Sequence, residues 1–346
     1  MVRVAINGFG RIGRTFMRSA FGHPNFEIVA INDLGSLENL AYLLKYDSVY
    51  GRSPFSVEVK DGKLLVGGKE VSFIQEKDPE KLPWKDLGID IVVESTGFFT
   101  SYEGSKKHLT AGAKRVVISA PVKDEPATAG VNGATILMGV NDDQLATCDI
   151  SSNASCTTNA TSPLIAILKE KIGIEKAILN TVHAYTATQT LQDGPSKKDL
   201  RSGRAAALNI IPATTGAAIA TTKAHTELDG KFDGMAMRVP VPVGSIVDVT
   251  FIASRDTTVE EVNAAFIEAA TQERWKNIFA ATDEPIVSTD IIGSKVGSIA
   301  DLSFTRVVGG NLVKVLAWYD NETSYTQTLV EHVAKAATFA AQSDSK

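Results

Sequence analysis

The sequence predicts an α/β domain built on a doubly wound parallel sheet, followed by an α+β domain with a mainly antiparallel sheet. In the first half of the chain, short apolar runs alternate with helix-like segments, as in a parallel sheet with helical crossovers. Longer runs with period-two alternation dominate the second half, as in antiparallel strands. We therefore expect residues 1–154 to form the first domain and 155–321 the second, with a C-terminal helix, 322–346, packing back on the first.

Composition narrows the class of protein. A chain of 346 residues that is 44% hydrophobic and 22% charged can bury two ordinary cores. The net charge of -5 gives no indication of a nucleic-acid partner, and no apolar run reaches the length of a membrane span. Two cysteines, Cys148 and Cys156, make neither a disulfide framework nor a metal cluster. We expect a cytoplasmic protein without a metal or membrane partner.

A glycine motif opens the chain. The β-rich run 2–7 leads directly into Gly8-Phe9-Gly10-Arg11-Ile12-Gly13, and a helix pattern follows over 14–21. In this context Gly8 would allow the tight turn, Gly10 would let the backbone approach a pyrophosphate, and Gly13 would let the helix pack on the strand. The pyrophosphate would lie at the helix N-terminus.

An acidic residue follows at the expected distance. The second strand, 26–33, ends at Asp33, about 20 residues after Gly13, where a carboxylate binds the adenosine ribose. Its charge would repel a 2′-phosphate, which favours NAD over NADP. The alternative is a glycine-rich turn followed by an unrelated aspartate.

Further elements extend the same sheet. Strands are predicted at 89–94 and 115–121, a helix at 102–111, and a hairpin turning at Asp61-Gly62. Ser119 falls at the carboxyl end of its strand, the edge at which ligands bind in doubly wound sheets. The first domain is therefore expected to be a Rossmann-type domain.

A cysteine begins the second domain. Ser155-Cys156-Thr157 precedes an apolar run, 162–168, that predicts a helix kinked or restarted at Pro163. A helix N-terminus favours a thiolate and offers backbone N–H groups to an oxyanion, so Cys156 is a candidate nucleophile. The alternative is a small buried residue, since free cysteines are among the most buried residues.

A histidine provides a candidate partner for the cysteine. The run 177–186 alternates like an antiparallel strand and contains His183, which could act as a general base. A structural, hydrogen-bonded histidine is the alternative. Cysteine–histidine pairs also occur in hydrolases, but the dinucleotide motif favours a thiol that attacks an aldehyde to give a hemithioacetal, which then loses hydride to the cofactor and becomes a thioester. The remaining histidines are expected to be structural or solvent-facing: His23, His108, His225 and His332.

The second half also contains candidate anion-binding groups, which are credible only as a set. The loop 213–218 leads into a helix, as in many phosphate sites. Later strands are predicted at 235–241, 245–253 and 312–319. The candidates are Arg201, Arg204 and Arg238 with Thr157, Thr186, Thr214, Thr215 and Gly216.

Four blocks of sequence resemble those of the phosphorylating glyceraldehyde-3-phosphate dehydrogenases. Their order and spacing agree over nearly the whole chain. The resemblance implies an α/β Rossmann-type doubly wound sheet plus an α+β catalytic domain with a mainly antiparallel sheet, NAD as cofactor, and a cytoplasmic homotetramer. The blocks are 7–14, 154–159, 183–186 and 318–322.

The resemblance also implies a role for each matching residue. Cys156 would be the acylated nucleophile and His183 would assist it. Thr186 and Arg238 would hold the substrate's phosphate, and the attacking inorganic phosphate would meet Ser155, Thr157, Arg201, Thr215 and Gly216. Asn321 would orient the nicotinamide amide, and Arg11, Ile12, Asp33, Lys77 and Ser119 would line the rest of the NAD site. The loop 188–204 would reach a neighbouring subunit's cofactor.

The chain departs from the common family pattern at a few positions. Lys77 stands where an arginine is common, and Ser202 where some bacterial members have a second arginine. Ala160 replaces a cysteine often found after the nucleophile. Erythrose-4-phosphate dehydrogenase activity, or a non-catalytic binding role on the same fold, remains open as an alternative.

Overall fold

The computed structural model describes residues 1–196 and 199–343. The chain folds into two compact units. One contains Met1–Ala154 together with the C-terminal segment from Leu329, and the other is Ser155–Thr328. The division falls inside the last helix, a few residues after the boundary at 321 that the sequence suggests. Among the described residues, no helix combines the length and the apolar character needed to cross a membrane.

The first unit is organised around a nine-stranded sheet. Its elements in chain order are β1 (Val2–Asn7), α1 (Arg11–Ala20), β2 (Phe26–Asn32), α2 (Leu37–Lys45), β3 (Tyr46–Asp47), β4 (Gly51–Arg52), β5 (Val57–Lys60), β6 (Lys63–Val66), β7 (Lys69–Ile74), β8 (Ile91–Glu94), α3 (Tyr102–Thr110), β9 (Arg115–Ile118), β10 (Gly133–Thr135) and β11 (Ile150–Ser152). The strand order is β10-β11-β9-β8-β1-β2-β7-β6-β5.

All pairs from β10 to β7 in this sheet are parallel, and only the β5–β6–β7 edge is antiparallel. The predicted doubly wound sheet is therefore confirmed. The chain passes from β1 to β2 on one side and returns to β8 on the other. Loops after β1, β2 and β8 consequently meet at the carboxyl edge, where such sheets bind ligands. The predicted hairpin turns at Asp61 and Gly62, which both have positive φ.

The second unit contains a seven-stranded sheet with flanking helices. Its elements are α4 (Cys156–Lys171), β12 (Ile174–Ala184), β13 (Ile211–Thr214), α5 (Ala217–Thr222), β14 (Phe232–Val239), β15 (Ser245–Ala253), α6 (Val259–Ala270), β16 (Phe279–Thr282), β17 (Ser298–Val308), β18 (Leu312–Tyr319) and α7 (Thr323–Ser343), the last of which continues into the first unit. The order is β13-β14-β12-β15-β18-β17-β16.

This sheet is mainly antiparallel, as predicted, with two parallel pairs. Strand β12 runs antiparallel to β15 but parallel to β14, and β16 runs parallel to β17. The antiparallel strand predicted at 177–186 thus has one antiparallel neighbour, β15, and one parallel neighbour, β14. A parallel pair needs a long crossover, and the segment between β12 and β14, which includes β13 and α5, supplies one.

Helix α4 is a core helix. Every residue from Thr157 to Leu168 is buried, so the helix has no solvent-facing stripe over this part. It runs through Pro163 without ending, so it does not restart there. Cys156 is the first residue of α4, and the core therefore fixes the position of the candidate nucleophile.

Candidate active site

The start of α4 is shaped by its capping residue. Ser155 has an extended backbone, and its Oγ accepts a hydrogen bond from the Thr158 backbone N–H at 3.1 Å, which caps the helix. Ala154 before it has a φ of 54°, a left-handed conformation that is uncommon for a residue with a side chain. This turn places the half-buried Cys156 at the first position of the helix.

His183 lies opposite the thiol. Its Nε2 is 3.4 Å from Sγ of Cys156, and its Nδ1 is 2.6 Å from the carbonyl oxygen of Ala184. The tautomer that donates from Nδ1 to this carbonyl leaves the lone pair of Nε2 facing the thiol. The predicted cysteine–histidine pair is therefore brought together, with the geometry of a nucleophile and its general base.

Arg238 completes this group from the neighbouring strand. Because β12 and β14 are parallel, His183 and Arg238 are register partners. Arg238 Nη1 donates to the Ala184 carbonyl at 3.2 Å and lies 2.5 Å from Nδ1 of His183. A guanidinium can only donate, so it bonds to Nδ1 only in the tautomer with the proton on Nε2. With the proton on Nδ1, which leaves Nε2 free as a base, the Ala184 carbonyl accepts from both groups. The cation is thus placed behind the imidazole rather than beside the thiol.

Burial dominates the protonation of the pair. It lowers the pKa of His183 to about 3, and Arg238 acts on that pKa in the same direction. Burial raises the pKa of the Cys156 thiol, although Arg238 and the Thr157 hydroxyl oppose this. Burial therefore acts against the thiolate that the helix start is predicted to favour. With a pKa of about 3, the imidazole of His183 is neutral at pH 7 and can accept a proton.

Tyr319 contacts Thr157, Thr181 and His183, and it was not predicted from the sequence as a site residue. Its hydroxyl lies 2.9 Å from Thr157 Oγ1 and 2.8 Å from Thr181 Oγ1. Its ring meets the imidazole of His183 edge-on, with centroids 5.9 Å apart. Tyr319 belongs to the block 318–322 that carries the family resemblance, and this was the signal available in the sequence.

The other predicted anion-binding residues lie elsewhere in the second unit. Thr186 follows β12, with its hydroxyl 2.9 Å from that of Thr188. Thr215 Oγ1 accepts from the Ala217 N–H at 3.2 Å, and the space around the Gly216 Cα is open. Arg201 is exposed, in a short 3-10 turn. Within the described part of the chain, none of these four residues is hydrogen-bonded to the group formed by Cys156, His183 and Arg238.

Asn321 follows β18 and is buried. Its Oδ1 accepts from the Gly244 N–H at 3.0 Å and from the Ser245 hydroxyl at 3.1 Å, so the side-chain amide has one fixed orientation. The neighbouring Asp320 accepts from the backbone N–H groups of Glu322 and Thr323 and fixes the start of α7. Asn321 is thus immobilised from both sides.

The glycine motif forms the loop that the sequence predicts. Gly8 has a φ of 94°, and a Cβ added there would lie 2.5 Å from the Thr96 backbone nitrogen. A Cβ added at Gly13 would lie 2.2 Å from the carbonyl oxygen of Gly8, so only glycine lets α1 start this close to β1. The space around the Gly10 Cα is open, as close approach of a ligand to the backbone requires.

Asp33 holds this loop in place. Its Oδ2 accepts from the Phe9 N–H at 2.6 Å, and its Oδ1 accepts from the Gly35 N–H at 2.8 Å. A carboxylate has about four acceptor positions, so Asp33 can still accept from ribose hydroxyls. The open glycine loop, the N-terminus of α1 and this carboxylate together fit a dinucleotide.

The remaining predicted cofactor residues differ in exposure and in whether the side chain or the backbone is already hydrogen-bonded. The Arg11 side chain turns to Asp47, with Nη1 3.0 Å from Oδ2, and lies over the ring of Tyr50. Its backbone, like that of Ile12, lies in the first turn of α1. Lys77 is exposed after β7, and the Ser119 N–H donates to the Glu94 carbonyl at 2.9 Å.

The other histidines are structural. His108 is buried below the glycine loop between Trp84 and Glu94, whose side chains lie 3.0 Å from its two ring nitrogens. His225 and His332 are also buried, and His23 is half-buried. The described residues contain no cluster of three or more His, Cys, Asp or Glu side chains suited to a metal ion.

Comparison with known proteins matches both halves of the chain. Residues 2–102 match the family model described as "Glyceraldehyde 3-phosphate dehydrogenase, NAD binding domain", and residues 155–321 match the model of the C-terminal domain. The glyceraldehyde-3-phosphate dehydrogenase of Clostridium acetobutylicum is 50% identical over 98% of this chain and 100% of the relative. The Geobacillus stearothermophilus enzyme is 50% identical over 97% and 98%. Glyceraldehyde-3-phosphate dehydrogenase A of Escherichia coli K12 is 46% identical over 96% and 99%.

Proposed function

We propose the following activity for this chain, which belongs to the glyceraldehyde-3-phosphate dehydrogenase family: it converts D-glyceraldehyde 3-phosphate, NAD and inorganic phosphate into 1,3-bisphosphoglycerate and NADH. The observation that carries the proposal is the 3.4 Å contact between Cys156 Sγ and His183 Nε2 at the start of a core helix. Membership of the family makes this reaction a step of glycolysis and gluconeogenesis.

A neutral imidazole beside the thiol defines the first step. As Sγ attacks the aldehyde carbon, Nε2 of His183 takes the thiol proton, and a hemithioacetal forms on Cys156. Charge that develops on the carbonyl oxygen can be met by N–H groups of the first turn of α4 and by the imidazolium. The Ala184 carbonyl, at 2.6 Å from Nδ1, keeps the imidazole in the orientation this transfer needs.

Oxidation then converts the hemithioacetal into a thioester on Cys156. NAD, when bound, supplies the hydride acceptor. His183, which returned the thiol proton to the carbonyl oxygen when the hemithioacetal formed, takes this hydroxyl proton as the carbonyl re-forms. Inorganic phosphate next attacks the thioester carbonyl, and the thiolate that leaves recovers its proton from the imidazolium.

The anion-binding residues divide into two proposed groups. Thr186 and Arg238 hold the phosphate of the substrate. The attacking phosphate and the carbonyl end are held by Ser155, Thr157, Arg201, Thr215 and Gly216. In support, Arg238 lies against His183, and Thr157 is held at the nucleophile by the Tyr319 hydroxyl.

Most of the proposed NAD contacts belong to the first unit. In the first unit, Gly8, Gly10 and Gly13 with the backbone of Arg11 and Ile12 receive the pyrophosphate, and Asp33 receives the adenosine ribose. Lys77 and Ser119 line the remainder. In the second unit, Asn321 orients the nicotinamide amide. NAD binding is thus assigned mainly to residues 1–154 and the acyl chemistry to residues 155–321.

The assembly and location belong to the same proposal. The family resemblance supports a cytoplasmic homotetramer in which the loop 188–204 reaches a neighbouring subunit; residues 197 and 198 of this loop lie outside the described residues. Light scattering combined with size-exclusion chromatography tests the tetramer, and a mass near that of one 36.9 kDa chain would contradict it.

A direct assay tests the reaction. Absorbance of NADH is followed with glyceraldehyde 3-phosphate in the presence and absence of inorganic phosphate. We expect steady turnover only with phosphate, and at most one NADH per site without it. Phosphate-independent steady turnover would indicate a non-phosphorylating enzyme instead. The names of the relatives do not favour the erythrose-4-phosphate alternative, and comparing kcat/KM for the two aldehydes checks it.

Cys156→Ser provides the matched variant for this assay. The variant lacks the thiol that forms the thioester, so it should lose turnover and the single NADH formed without phosphate. It should still bind NAD, because the groups proposed to bind NAD are unchanged. Full turnover by the variant would overturn the mechanism, because it would show that Cys156 is not the nucleophile.

A further inference from the structure

Ser245 connects two parts of the proposed site that are far apart in sequence. It is the first residue of β15 and is buried. Its Oγ lies 3.2 Å from the backbone nitrogen of Ala184, next to the base, and 3.1 Å from Oδ1 of Asn321. One hydroxyl therefore bridges the end of β12 and the residue that follows Asp320.

The directions of these hydrogen bonds follow from the groups. A backbone N–H can only donate, so the Ser245 oxygen accepts from Ala184. An amide oxygen can only accept, so the single hydroxyl proton of Ser245 is donated to Asn321. The Gly244 N–H donates to the same Oδ1 at 3.0 Å, which excludes the flipped amide. The Asn321 NH₂ group is left as the donor that the side chain presents.

The other backbone group of Ala184 holds the base. Its carbonyl oxygen lies 2.6 Å from Nδ1 of His183 and accepts from Arg238. The carbonyl group of Ala184 thus binds His183, and the N–H group of the same residue binds Ser245. A shift of the Ser245 hydroxyl would change the support of both His183 and Asn321.

We propose that Ser245 is a positioning residue that orients the Asn321 amide toward the nicotinamide carboxamide of NAD and ties that orientation to the backbone holding His183. The inference rests on the proposed function, because it assigns the nicotinamide contact to Asn321. Ser245 touches neither substrate nor cofactor and acts through Asn321 and Ala184.

A second buried serine provides the matched control. Ser298 is the first residue of β17 in the same sheet, is fully buried, and has an Oγ without a hydrogen-bond partner among the described residues. Ser298→Ala removes the same atom from the same kind of position without breaking a hydrogen bond. Ser298→Ala therefore measures the effect on ligand binding of a buried Ser→Ala substitution that breaks no hydrogen bond.

The test compares NAD with ADP-ribose, which lacks the nicotinamide ring. Titration calorimetry gives the Kd of each for wild type, Ser245→Ala and Ser298→Ala. Loss of one hydrogen bond predicts that Ser245→Ala raises the Kd for NAD about five- to tenfold and leaves the Kd for ADP-ribose within about twofold. Ser298→Ala should change neither. Equal weakening of both ligands by Ser245→Ala, or no weakening of NAD, would overturn the proposal.

A double-mutant cycle asks whether Ser245 acts through Asn321. In an Asn321→Ala background the amide is absent, so adding Ser245→Ala should not raise the Kd for NAD further. Additive effects would show that Ser245 acts by another route and would refute the assignment. These measurements use binding alone, so they stand apart from the turnover assay: inactive wild-type protein would count against the proposed function and not against this coupling.

Discussion

The guanidinium of Arg238 lies directly behind the imidazole of His183, with Nη1 2.5 Å from Nδ1, while Nε2 on the other side of the ring faces the thiol of Cys156. The arrangement follows from the parallel pairing of β12 with β14. Together with burial, the cation lowers the pKa of His183 and makes protonation of the imidazole at rest unfavourable, so His183 is available as a base over the whole neutral pH range.

Removing the base should slow the reaction without weakening cofactor binding. His183→Asn is expected to lower kcat by about 10²- to 10⁴-fold, the usual contribution of a general base. Alkylation of Cys156 by iodoacetamide at neutral pH should slow in parallel, because the thiol proton has lost its acceptor. His225→Asn, at a buried histidine bonded to Ser162 in the same unit, is the control. An alkylation rate equal to wild type would remove His183 from the mechanism.

The two arginines are expected to affect different substrates. Arg238→Gln should raise KM for glyceraldehyde 3-phosphate roughly tenfold or more, and Arg201→Gln should raise KM for inorganic phosphate, because each loses a charge-assisted hydrogen bond to an anion. Steady-state kinetics with one substrate varied at a time measures both values. If Arg201→Gln left KM for phosphate unchanged, the assignment of Arg201 would be wrong.

Arg238→Gln should also change the pH profile. Burial is the larger cause of the low pKa of His183 and Arg238 the second, so removing Arg238 raises that pKa part of the way from about 3 toward 6.5. The imidazole of the variant is then protonated at a higher pH than that of wild type, so kcat of the variant should start to fall at a higher pH as the solution is acidified from about 6.5 toward 3. Parallel profiles for the two proteins would show that the cation does not control the base.

Asp33 should control the choice between NAD and NADP. Asp33→Asn removes the charge that repels a 2′-phosphate but keeps an oxygen that can accept from the Phe9 N–H. The ratio of kcat/KM for NAD to that for NADP is expected to fall at least about tenfold. Asp90→Asn removes the same charge at the opposite edge of the sheet, where Asp90 binds the Arg3 N–H, and should leave the ratio unchanged. A preserved ratio in Asp33→Asn would contradict the proposed contact.

Buried histidines should make the protein sensitive to acid. Burial lowers the pKa of His332 in the folded state to about 3, from an ordinary value of 6.5. Below that ordinary value the unfolded chain binds a proton that the folded state does not, so the free energy of unfolding should fall as pH drops from about 6.5 toward about 3. His332→Gln should flatten this dependence by up to about one proton in urea unfolding between roughly pH 7 and 5. His225, with a pKa lowered to about 4, acts in the same direction and remains in the variant. An unchanged slope would contradict the buried neutral state of His332.

The sequence was most informative where local chemistry decides the structure. Strands β15 and β18 have the predicted bounds, since their alternation is regular and their ends are marked. Gly8 and Gly13 lie where only glycine fits, and the motif records this directly. The strand alternation, the positive φ of Gly8 and the contact of Gly13 with Gly8 depend on residues close in the chain, so the sequence pattern contains them. The approach of Thr96 to Gly8 is not local in this sense.

What the sequence could not predict depends on distant pairing. The parallel direction of β14 relative to β12 follows from how the intervening chain crosses over, and this pairing alone brings Arg238 to His183. Asp47 as the partner of Arg11, and Tyr319 as the support of Thr157, have no sequence spacing that would reveal them. The burial that raises the pKa of Cys156 likewise cannot be judged from the sequence around a helix start.

Burial along α4 has a consequence for motion. With every residue from Thr157 to Leu168 enclosed, the amide protons in the body of this helix can exchange with solvent only when the unit around it opens. The proposed acyl group is therefore attached at the start of one of the slowest-exchanging segments of the chain. The backbone that carries the nucleophile is therefore expected to keep its position throughout turnover.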